Sequence, residues 1–324
     1  MTERVRAFWA LGDGRGELRE EAVREAGRGE LRIRMITSAI SRGTESLVFA
    51  GRVPPSEWQR MRCPYQQGEF PGPVKYGYSA VGVVEQGPAD WVGHRVFCLH
   101  PHQDRFVVSI DAAHRLPADL PSERAVLAAN METAVNALWD LGPRPGDRIA
   151  IVGAGVVGAL VAALASRMPA VDVQLIDPDP RRAVLAERLG CRYASPEDAQ
   201  GECDGVVHAS GRAEGLDTAL ALAGFEATVL ELSWYGTGPV AVALGGAFHA
   251  RRLTLRASQV GSVATAQRAR WDYRRRMALA LKLLEDPRLD ALLDGVSPFD
   301  ALPQTMARLT RHPDGALCHR IQYD

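Results

Sequence analysis

The stretch Asp147–Arg182, DRIAIVGAGVVGALVAALASRMPAVDVQLIDPDPRR, decides the fold class. The β-branched run RIAIV leads into a glycine-rich turn, an apolar helical segment and a second strand, VDVQLI. Gly153, Gly155 and Gly158 give the spacing G-x-G-x-x-G between the first strand and the helix. Glycines at this point permit a tight turn and let backbone N–H groups and the helix dipole approach a pyrophosphate. The stretch therefore predicts a dinucleotide-binding βαβ unit.

An acid at the end of the second strand indicates which dinucleotide binds. Asp177 stands about 20 residues beyond the last glycine, where a carboxylate accepts hydrogen bonds from the ribose hydroxyls. It would repel a 2′-phosphate, so NAD(H) is favoured over NADP(H), although Arg181 and Arg182 keep a phosphate-binding alternative open. A second alternative is a packing turn that binds nothing. The predicted cofactor-binding residues of this stretch are Gly153, Gly155, Val156, Val157, Gly158, Asp177 and Arg182.

The pattern of predicted secondary structure changes twice along the chain. Short β-rich runs separated by Gly and Pro extend to about residue 120, with a long proline-rich loop at residues 51–77. Alternating strands and helices follow to about residue 260, which is typical of a parallel sheet with both faces covered. Helices and a short closing segment, ALCHRIQYD, complete the chain. The fold class predicted is α/β, and the long loop is expected to form one wall of a functional cleft.

The composition excludes several classes of partner. The chain has 324 residues, 46% hydrophobic, with a net charge of -1, so it provides no field that attracts nucleic acid or an anionic membrane. The length favours about two domains. The five cysteines include no CxxC pair, which argues against a disulfide framework or a thiolate zinc site. No apolar run has membrane-spanning length and the first residues lack a signal-peptide pattern, so a cytoplasmic protein is expected.

Four stretches resemble the medium-chain dehydrogenase/reductase superfamily, the zinc alcohol dehydrogenase family. They are GELRIRMITSAISRGTES, VKYGYSAVGVVEQGP, LAANMETAVNALWDLGPRPGDRIAIVGAGVVG and CDGVVHASGRAEGLDTALALAG. The form ISRGTES, for which the resemblance implies a turn at Gly43–Glu45, is most similar to a branch that includes bacteriochlorophyllide hydroxyethyl dehydrogenases. The resemblance implies a GroES-like β-barrel catalytic domain at residues 1–121, completed by 261–324, and a Rossmann domain at 122–260. It also implies an active cleft between the domains and a homodimer formed along the edge strand RLTLRASQV.

The sequence departs from this family at the zinc ligands. Ser41 or Arg42 stands where the family has its first zinc-binding cysteine. Tyr78 and Ser79 replace the histidine and glutamate that follow glycine, and Ala129 occupies the third ligand position. A catalytic zinc needs three protein ligands, usually thiolates, imidazoles or carboxylates. The four-cysteine structural lobe is also absent, so we expect neither a catalytic nor a structural zinc.

Without zinc, other groups must stabilise charge on the substrate oxygen or exchange a proton with it. A hydrogen-bond donor or a general acid or base can replace a Lewis acid at that oxygen. The candidate catalytic residues are Tyr78, Glu45, Glu132 and Ser41, and the resemblance also places Thr133, Ser210 and Ser233 near the cofactor. Three of the catalytic candidates have a structural alternative: Tyr78 as a cleft-wall aromatic, Glu45 in an ion pair with Arg42 or Lys75, and Glu132 paired outward.

Three further groups carry weaker hypotheses. His100 and His102, two residues apart, would share one face of a strand and could form half of a metal site, although ordinary histidines are more frequent. Lys75 could lower the pKa of Tyr78 or hold an anion. The arginine-rich run Gln267–Ala278 could bind a carboxylate or phosphate, although a solvated helix face is the simpler interpretation.

Three functions remain open. The first is an NAD(H)-dependent, zinc-independent oxidoreductase that interconverts a secondary alcohol and a ketone. The second is an NADPH-dependent alkene or quinone reductase, which Asp177 disfavours. The third is a non-catalytic dinucleotide-binding protein. The substrate is expected to be a small molecule, whose identity the fold does not determine.

Overall fold

A computed structural model describes residues 3–324; Met1 and Thr2, which the predicted first domain includes, lie outside the described residues. The strands are β1 Glu3–Ala10, β2 Gly16–Val23, β3 Glu30–Ile40, β4 Gln67–Gly68, β5 Val74–Lys75, β6 Ala80–Gln86, β7 Arg95–Cys98, β8 Arg105–Ser109, β9 Ala113–Arg115, β10 Arg148–Val152, β11 Asp172–Ile176, β12 Arg192–Ala194, β13 Cys203–His208, β14 Ala223–Glu231, β15 Thr254–Ala257, β16 Leu293–Pro298 and β17 Cys318–Gln322. The helices are α1 Arg42–Phe49, α2 Ser122–Ala125, α3 Ala128–Leu141, α4 Val156–Ala165, α5 Arg182–Leu189, α6 Ala213–Leu222, α7 Tyr273–Leu283 and α8 Leu302–Arg311.

The chain divides into two compact units. The first consists of residues up to 129 together with 281–285 and 293–324, and the second of 130–280 and 286–292. The chain therefore returns to the first unit at residue 281, whereas the sequence places that return at residue 261. The boundary lies within helix α7, whose last three residues belong to the first unit.

The first unit is built from two sheets. One has the strand order β2-β1-β5-β4, and the other has the order β16-β17-β3-β6-β7-β9, with β8 also paired to β3. Strand β3 is central because it pairs with β17, β6 and β8. Its apolar residues Leu31, Ile33 and Met35 alternate along the strand and are fully buried, which is the pattern of a strand with one face on a core.

The second unit contains a six-stranded parallel sheet in the order β12-β11-β10-β13-β14-β15. Strands β10 and β11 are buried at every position after the first, as expected when helices cover both faces of a sheet. Helix α5 ends at Gly190, whose φ of 81° allows the left-handed cap that a helix terminus favours. The predicted α/β class, with a doubly wound parallel sheet in one unit and a β-rich arrangement in the other, is confirmed.

Three local expectations need correction. The segment Gly43–Glu45, expected as a turn, forms the first part of helix α1. His100 and His102 lie in irregular backbone between β7 and β8, so they do not share the face of a strand. The predicted long loop contains a short 3₁₀ helix, Pro55–Glu57, and the small strands β4 and β5. No helix within residues 3–324 combines the length and apolar character needed to cross a bilayer.

Candidate cofactor and catalytic residues

The glycine loop links the end of β10 to the start of α4. Gly153 has φ 107°, and a Cβ added to it would lie 2.6 Å from the backbone nitrogen of Ser210. A Cβ on Gly158 would overlap the carbonyl oxygen of Gly153. Both positions therefore require glycine, because neighbouring backbone atoms occupy the space that a side chain would need.

Gly155 differs from these two glycines. It is the N-cap of α4, has an ordinary φ of −74°, and faces space in which a Cβ would meet no atom within 4 Å. No side chain caps this helix end, and Val156 and Val157 in its first turn are partly exposed. Free N–H groups at a helix N-terminus beside open space suit a pyrophosphate, so the loop fits a dinucleotide.

Asp177, directly after β11, is tied to this loop. Its Oδ2 accepts a hydrogen bond of 2.8 Å from the backbone N–H of Ala154, and its Oδ1 accepts one of 2.9 Å from Asp179. The nearby arginines pair with Asp179: the Arg181 guanidinium lies 2.8 Å from it and that of Arg182 lies 3.9 Å away. The acid is thus placed at the loop, while both arginines have an anionic partner.

A cluster of polar side chains occupies the carboxyl ends of the next two strands. His208 ends β13 and Glu231 ends β14, and His208 Nδ1 lies 2.7 Å from Glu231 Oε2. His208 Nε2 lies 2.6 Å from the hydroxyl of Ser210, while Ser233 donates its backbone N–H to Glu231 Oε1 at 2.7 Å. Tyr235 donates its hydroxyl to Glu231 at 3.0 Å. The structure thus joins the predicted Ser210 and Ser233 through two residues that sequence reasoning missed.

The missed pair had a recognisable signal. His208 interrupts the buried run GVVHA and Glu231 interrupts TVLEL, so each places a polar group at the carboxyl end of an apolar strand. Carboxyl ends of parallel strands are where ligands bind in such sheets. Burial acts to raise the pKa of Glu231, but hydrogen bonding and attraction from His208 outweigh it and lower that pKa. Burial and the Glu231 charge raise the pKa of Tyr235.

In the first unit, helix α1 brings three predicted catalytic residues together. Ser41 is the N-cap of this helix, and its backbone N–H donates to Glu45 Oε1 at 2.8 Å. Tyr78 is partly buried, and the side chains of Ser41 and Thr44 act to lower its pKa. Burial first, and then the charge of Glu45, raise the pKa of Tyr78, so its phenol stays protonated. Tyr78, Ser41 and Glu45 therefore form one group of donors beside one carboxylate.

Glu45 has a partner that was not considered from the sequence. Its Oε2 lies 2.9 Å from His102 Nε2, and both side chains are buried. Lys75 instead donates to Glu21 at 2.7 Å and to Gln103 at 2.9 Å. The suggested action of Lys75 on Tyr78 is therefore wrong, because its ammonium is already held by these two oxygens.

Glu132 and Thr133 lie on helix α3 in the second unit. The carboxylate of Glu132 is buried and lies 3.1 Å from Arg276 Nε; the same guanidinium donates to Asn136 Oδ1 at 2.7 Å and to the Val260 carbonyl at 2.6 Å. Burial raises the pKa of Glu132 while Arg276 opposes the shift. The expected outward pairing of Glu132 is thus wrong. Arg276 is likewise not part of a solvated helix face, since it is fully buried.

The two histidines near residue 100 have separate environments. The His100 ring stacks on Phe106 with centroids 3.8 Å apart, and its Nδ1 donates to the Pro101 carbonyl at 2.9 Å. His102 contacts Glu45 and, through Nδ1, the Ser38 hydroxyl at 2.8 Å. Within residues 3–324, no three His, Cys, Asp or Glu side chains are grouped closely enough to hold a metal ion. The residues at the family's zinc positions do not fit that ion.

Known proteins similar to this chain are dehydrogenases, although no model of a known protein family matches it. D-guloside 3-dehydrogenase of Escherichia coli K12 is 24% identical over 321 residues, which cover 89% of this chain and 91% of that enzyme. A zinc-binding dehydrogenase of Sinorhizobium meliloti bound to NADP is 18% identical, with a TM-score of 0.77 over 99% of both chains. An alcohol dehydrogenase of Escherichia coli CFT073 complexed with NADH is 14% identical, with a TM-score of 0.76 over 98% of this chain and 99% of that one.

Proposed function

We propose that this chain, a dehydrogenase of the medium-chain NAD(P)-dependent type by its homologues and structural neighbours, interconverts a secondary alcohol and a ketone with NAD(H) and without zinc. The observation that carries the proposal is a combination of two groups. The glycine loop is tied to Asp177, and the first unit offers Tyr78 and Ser41 where the family has zinc ligands, with Glu45 accepting from the Ser41 N–H.

The preference for NAD(H) rests on Asp177. Its carboxylate is anchored to the loop at Ala154, where it can accept hydrogen bonds from ribose hydroxyls and repel a 2′-phosphate. Arg181 and Arg182 are paired with Asp179, so moving either one to a phosphate would cost that pairing. One structural neighbour holds NADP and another holds NADH, so the fold accepts both cofactors. Asp177 is therefore the residue that sets the preference of this chain.

Tyr78 is proposed as the group that acts on the substrate oxygen. A bound nicotinamide dinucleotide supplies the hydride acceptor or donor. The phenol of Tyr78, kept protonated by burial and by Glu45, donates a hydrogen bond to a ketone oxygen and then a proton as the alcohol forms.

The independence from zinc rests on the donor set. Ser41 or Arg42, Tyr78 and Ala129 replace the family's ligands, and an alanine side chain cannot coordinate a metal ion. Glu45 is held by Ser41 and His102, which satisfies its carboxylate without a cation.

A homodimer formed through β15 is part of the proposal. This strand is the last in the parallel sheet, pairs with β14 on one side, and is exposed along its length. Exposed edge strands provide unpaired backbone groups that a second copy can pair with. Sedimentation of the wild type and of a Leu255→Pro variant at one concentration tests this, since proline removes an edge donor.

Parallel titration of metal-analysed protein with NADH and NADPH, followed by ketone reduction assays, tests the function. We expect tighter binding of NADH, turnover of a secondary ketone, and no stoichiometric zinc. Tyr78→Phe should lower kcat about 100-fold or more while leaving NADH binding intact. Tyr76→Phe is the matched control, because Tyr76 lies beside Tyr78 but donates to the Met61 carbonyl at 3.3 Å. Zinc-dependent turnover, or NADPH preference with an enone substrate, would contradict the proposal.

A further inference from the structure

A histidine of the parallel sheet lies between a carboxylate and a serine. His208 ends β13, and its Nδ1 lies 2.7 Å from Oε2 of Glu231, the last residue of β14. Its other ring nitrogen, Nε2, lies 2.6 Å from the hydroxyl of Ser210. His208 is fully buried, whereas Ser210 is partly exposed. The three side chains therefore join an acid, an imidazole and a hydroxyl in sequence, and the hydroxyl is accessible.

The hydrogen-bond partners assign the proton of each group. The Ser210 hydroxyl accepts from the Arg212 N–H at 3.1 Å, so its own proton is free to bond an acceptor. The Arg212 carbonyl lies 3.5 Å away, beyond a normal hydrogen bond, which leaves His208 Nε2 at 2.6 Å. A neutral imidazole that accepts at Nε2 carries its hydrogen at Nδ1, and this N–H donates to Glu231. In this arrangement a histidine can act as the base that removes a serine proton.

Glu231 is held in the orientation that such a histidine needs. Its Oε1 accepts the Ser233 N–H at 2.7 Å, and its Oε2 accepts the Tyr235 hydroxyl at 3.0 Å. Both carboxylate oxygens thus have a donor besides His208. A carboxylate placed in this way orients the imidazole and stabilises the imidazolium that forms when the serine loses its proton.

A glycine in helix α6 leaves room for the contact between the serine and the histidine. A Cβ on Gly215 would overlap the Ser210 hydroxyl oxygen and would lie 2.8 Å from His208 Nε2. Gly215 is the third residue of this helix, where glycine is a poorer helix former than alanine. Its φ lies outside the left-handed region, so the backbone conformation does not call for glycine. The packing of Ser210 against His208 is therefore what requires it.

The start of helix α6 supplies a second feature that acyl transfer needs. The Arg212 N–H at this helix start donates to the Ser210 hydroxyl, and the Arg212 side chain does not cap the helix. The N–H groups of a first helical turn have no acceptor within their own helix. Backbone N–H groups beside a nucleophile stabilise the negative oxygen that forms when a carbonyl carbon is attacked. The hydroxyl thus has a base on one side and N–H donors on the other.

We propose that Ser210, His208 and Glu231 form a second catalytic centre, in which Ser210 is the nucleophile that cleaves small activated carboxylic esters. This activity goes beyond the proposed dehydrogenase function, since it uses no hydride. Ser210 Oγ bonds to the carbonyl carbon of the ester, and its proton passes to His208 Nε2. The bond from that carbon to the leaving oxygen breaks, and the leaving alcohol takes the proton from His208.

Water completes the reaction and regenerates the serine. A water molecule gives a proton to His208 Nε2 and bonds through its oxygen to the acyl carbon. The bond from that carbon to Ser210 Oγ breaks, and Ser210 takes the proton back from His208. The sum is one ester and one water converted into one carboxylic acid and one alcohol. Nothing is oxidised or reduced.

A purely structural network is the competing explanation. The bonds of His208 to Glu231 and to Ser210 also connect β13 with β14 and with the segment before α6. Such a network contributes to stability, but it gives no reason for one particular serine to react with an electrophile. Covalent labelling therefore separates the two explanations.

Reaction of the full chain with diisopropyl fluorophosphate, followed by intact-mass and peptide mass spectrometry, tests the nucleophile. The reagent transfers its phosphoryl group to an activated serine oxygen and releases fluoride. We expect one adduct per chain, located on Ser210, and none in Ser210→Ala. Ser195→Ala is the matched control and should label like the wild type, because Ser195 is also partly exposed but donates directly to the Asp198 carboxylate at 2.8 Å. No adduct, or an adduct on another residue, overturns the proposal.

Hydrolysis of p-nitrophenyl acetate tests the base and the acid. Glu231→Gln keeps the shape of the carboxylate without its charge, and Gly215→Ala keeps all three residues but places a methyl group at the Ser210 oxygen. Each should lower the rate of acylation about 100-fold. Circular dichroism establishes that the variants are folded, and either one suffices if the other unfolds. Hydrolysis that persists in Ser210→Ala, or that is unchanged in both folded variants, overturns the proposal and leaves the dehydrogenase function standing.

Discussion

The carboxylate of Asp177 accepts a hydrogen bond of 2.8 Å from the backbone N–H of Ala154. The acid at the end of β11 is thereby tied to the glycine loop at the end of β10. One side chain thus stabilises the shape of the loop and presents negative charge where ribose hydroxyls are expected.

Replacing this acid should change the cofactor preference. We expect Asp177→Ala to weaken NADH binding about ten-fold, since a hydrogen bond to a charged group contributes about 1.5–3 kcal/mol. The affinity for NADPH should change little or increase, because the repulsion of a 2′-phosphate is gone. Fluorescence titration with both nucleotides measures this. Asp172→Asn, at the other end of β11 and paired with Arg192, is the control. Equal losses for both nucleotides would show that Asp177 only stabilises the loop.

Two glycine substitutions should separate the packing of the loop from its binding role. Gly158→Ala places a methyl group on the Gly153 carbonyl and should cost about 1–3 kcal/mol of unfolding free energy or more. Gly155→Ala meets no atom within 4 Å and should leave stability nearly unchanged. It should nevertheless weaken NADH binding, because the methyl group projects into the space that suits a pyrophosphate. Thermal unfolding and NADH titration measure both effects, and a Gly155→Ala protein with normal affinity would contradict the assignment.

Glu132→Gln distinguishes a structural from a catalytic carboxylate. The substitution leaves the buried Arg276 guanidinium without its counter-charge, which should cost about 3 kcal/mol of unfolding free energy. Urea unfolding measures this loss, with the exposed Glu123→Gln as control. In the folded enzyme kcat should fall by less than about ten-fold, whereas loss of a general acid or base costs about 100-fold or more. Intact stability with a collapse of kcat would restore the catalytic hypothesis.

His100 should make the folded protein sensitive to acid. Burial lowers its pKa from 6.5 to about 3, with the Pro101 hydrogen bond acting in the opposite direction. Between these values the unfolded chain binds a proton that the folded chain does not, so stability falls as the pH falls. This one group should cost about 1.4 kcal/mol for each pH unit below 6.5. His100→Gln removes the titration, so its unfolding free energy should depend less on pH between 6 and 4. Parallel slopes for both proteins would show that His100 is protonated in the folded state.

Much of the second unit could be predicted because its determinants are local. A β-branched run, three glycines and a following acid fix a strand, a turn, a helix and the placement of Asp177 within one continuous stretch. Steric limits on the backbone act over a few residues, so a sequence pattern is sufficient evidence for them. The edge position of β15 was instead implied by the family resemblance.

The partners of buried charged groups could not be predicted. The sequence offers Arg42 or Lys75 to Glu45, yet the carboxylate binds His102, and Lys75 binds Glu21. Similarly, Glu132 binds Arg276 from a helix far along the chain. A buried charge takes whichever partner the packing brings near, and sequence distance carries no information about that choice.

By itself, the sequence determined the α/β class and the glycine loop with its acid, because these depend on residue types at short spacings. Only the tertiary structure decided which buried side chains are hydrogen-bonded to each other. His208 meets Glu231 across adjacent strands, and Tyr323 reaches Ser38 from the far end of the chain. Hydrogen bonds are shorter than about 3.2 Å, so they report positions in space that only the complete fold determines.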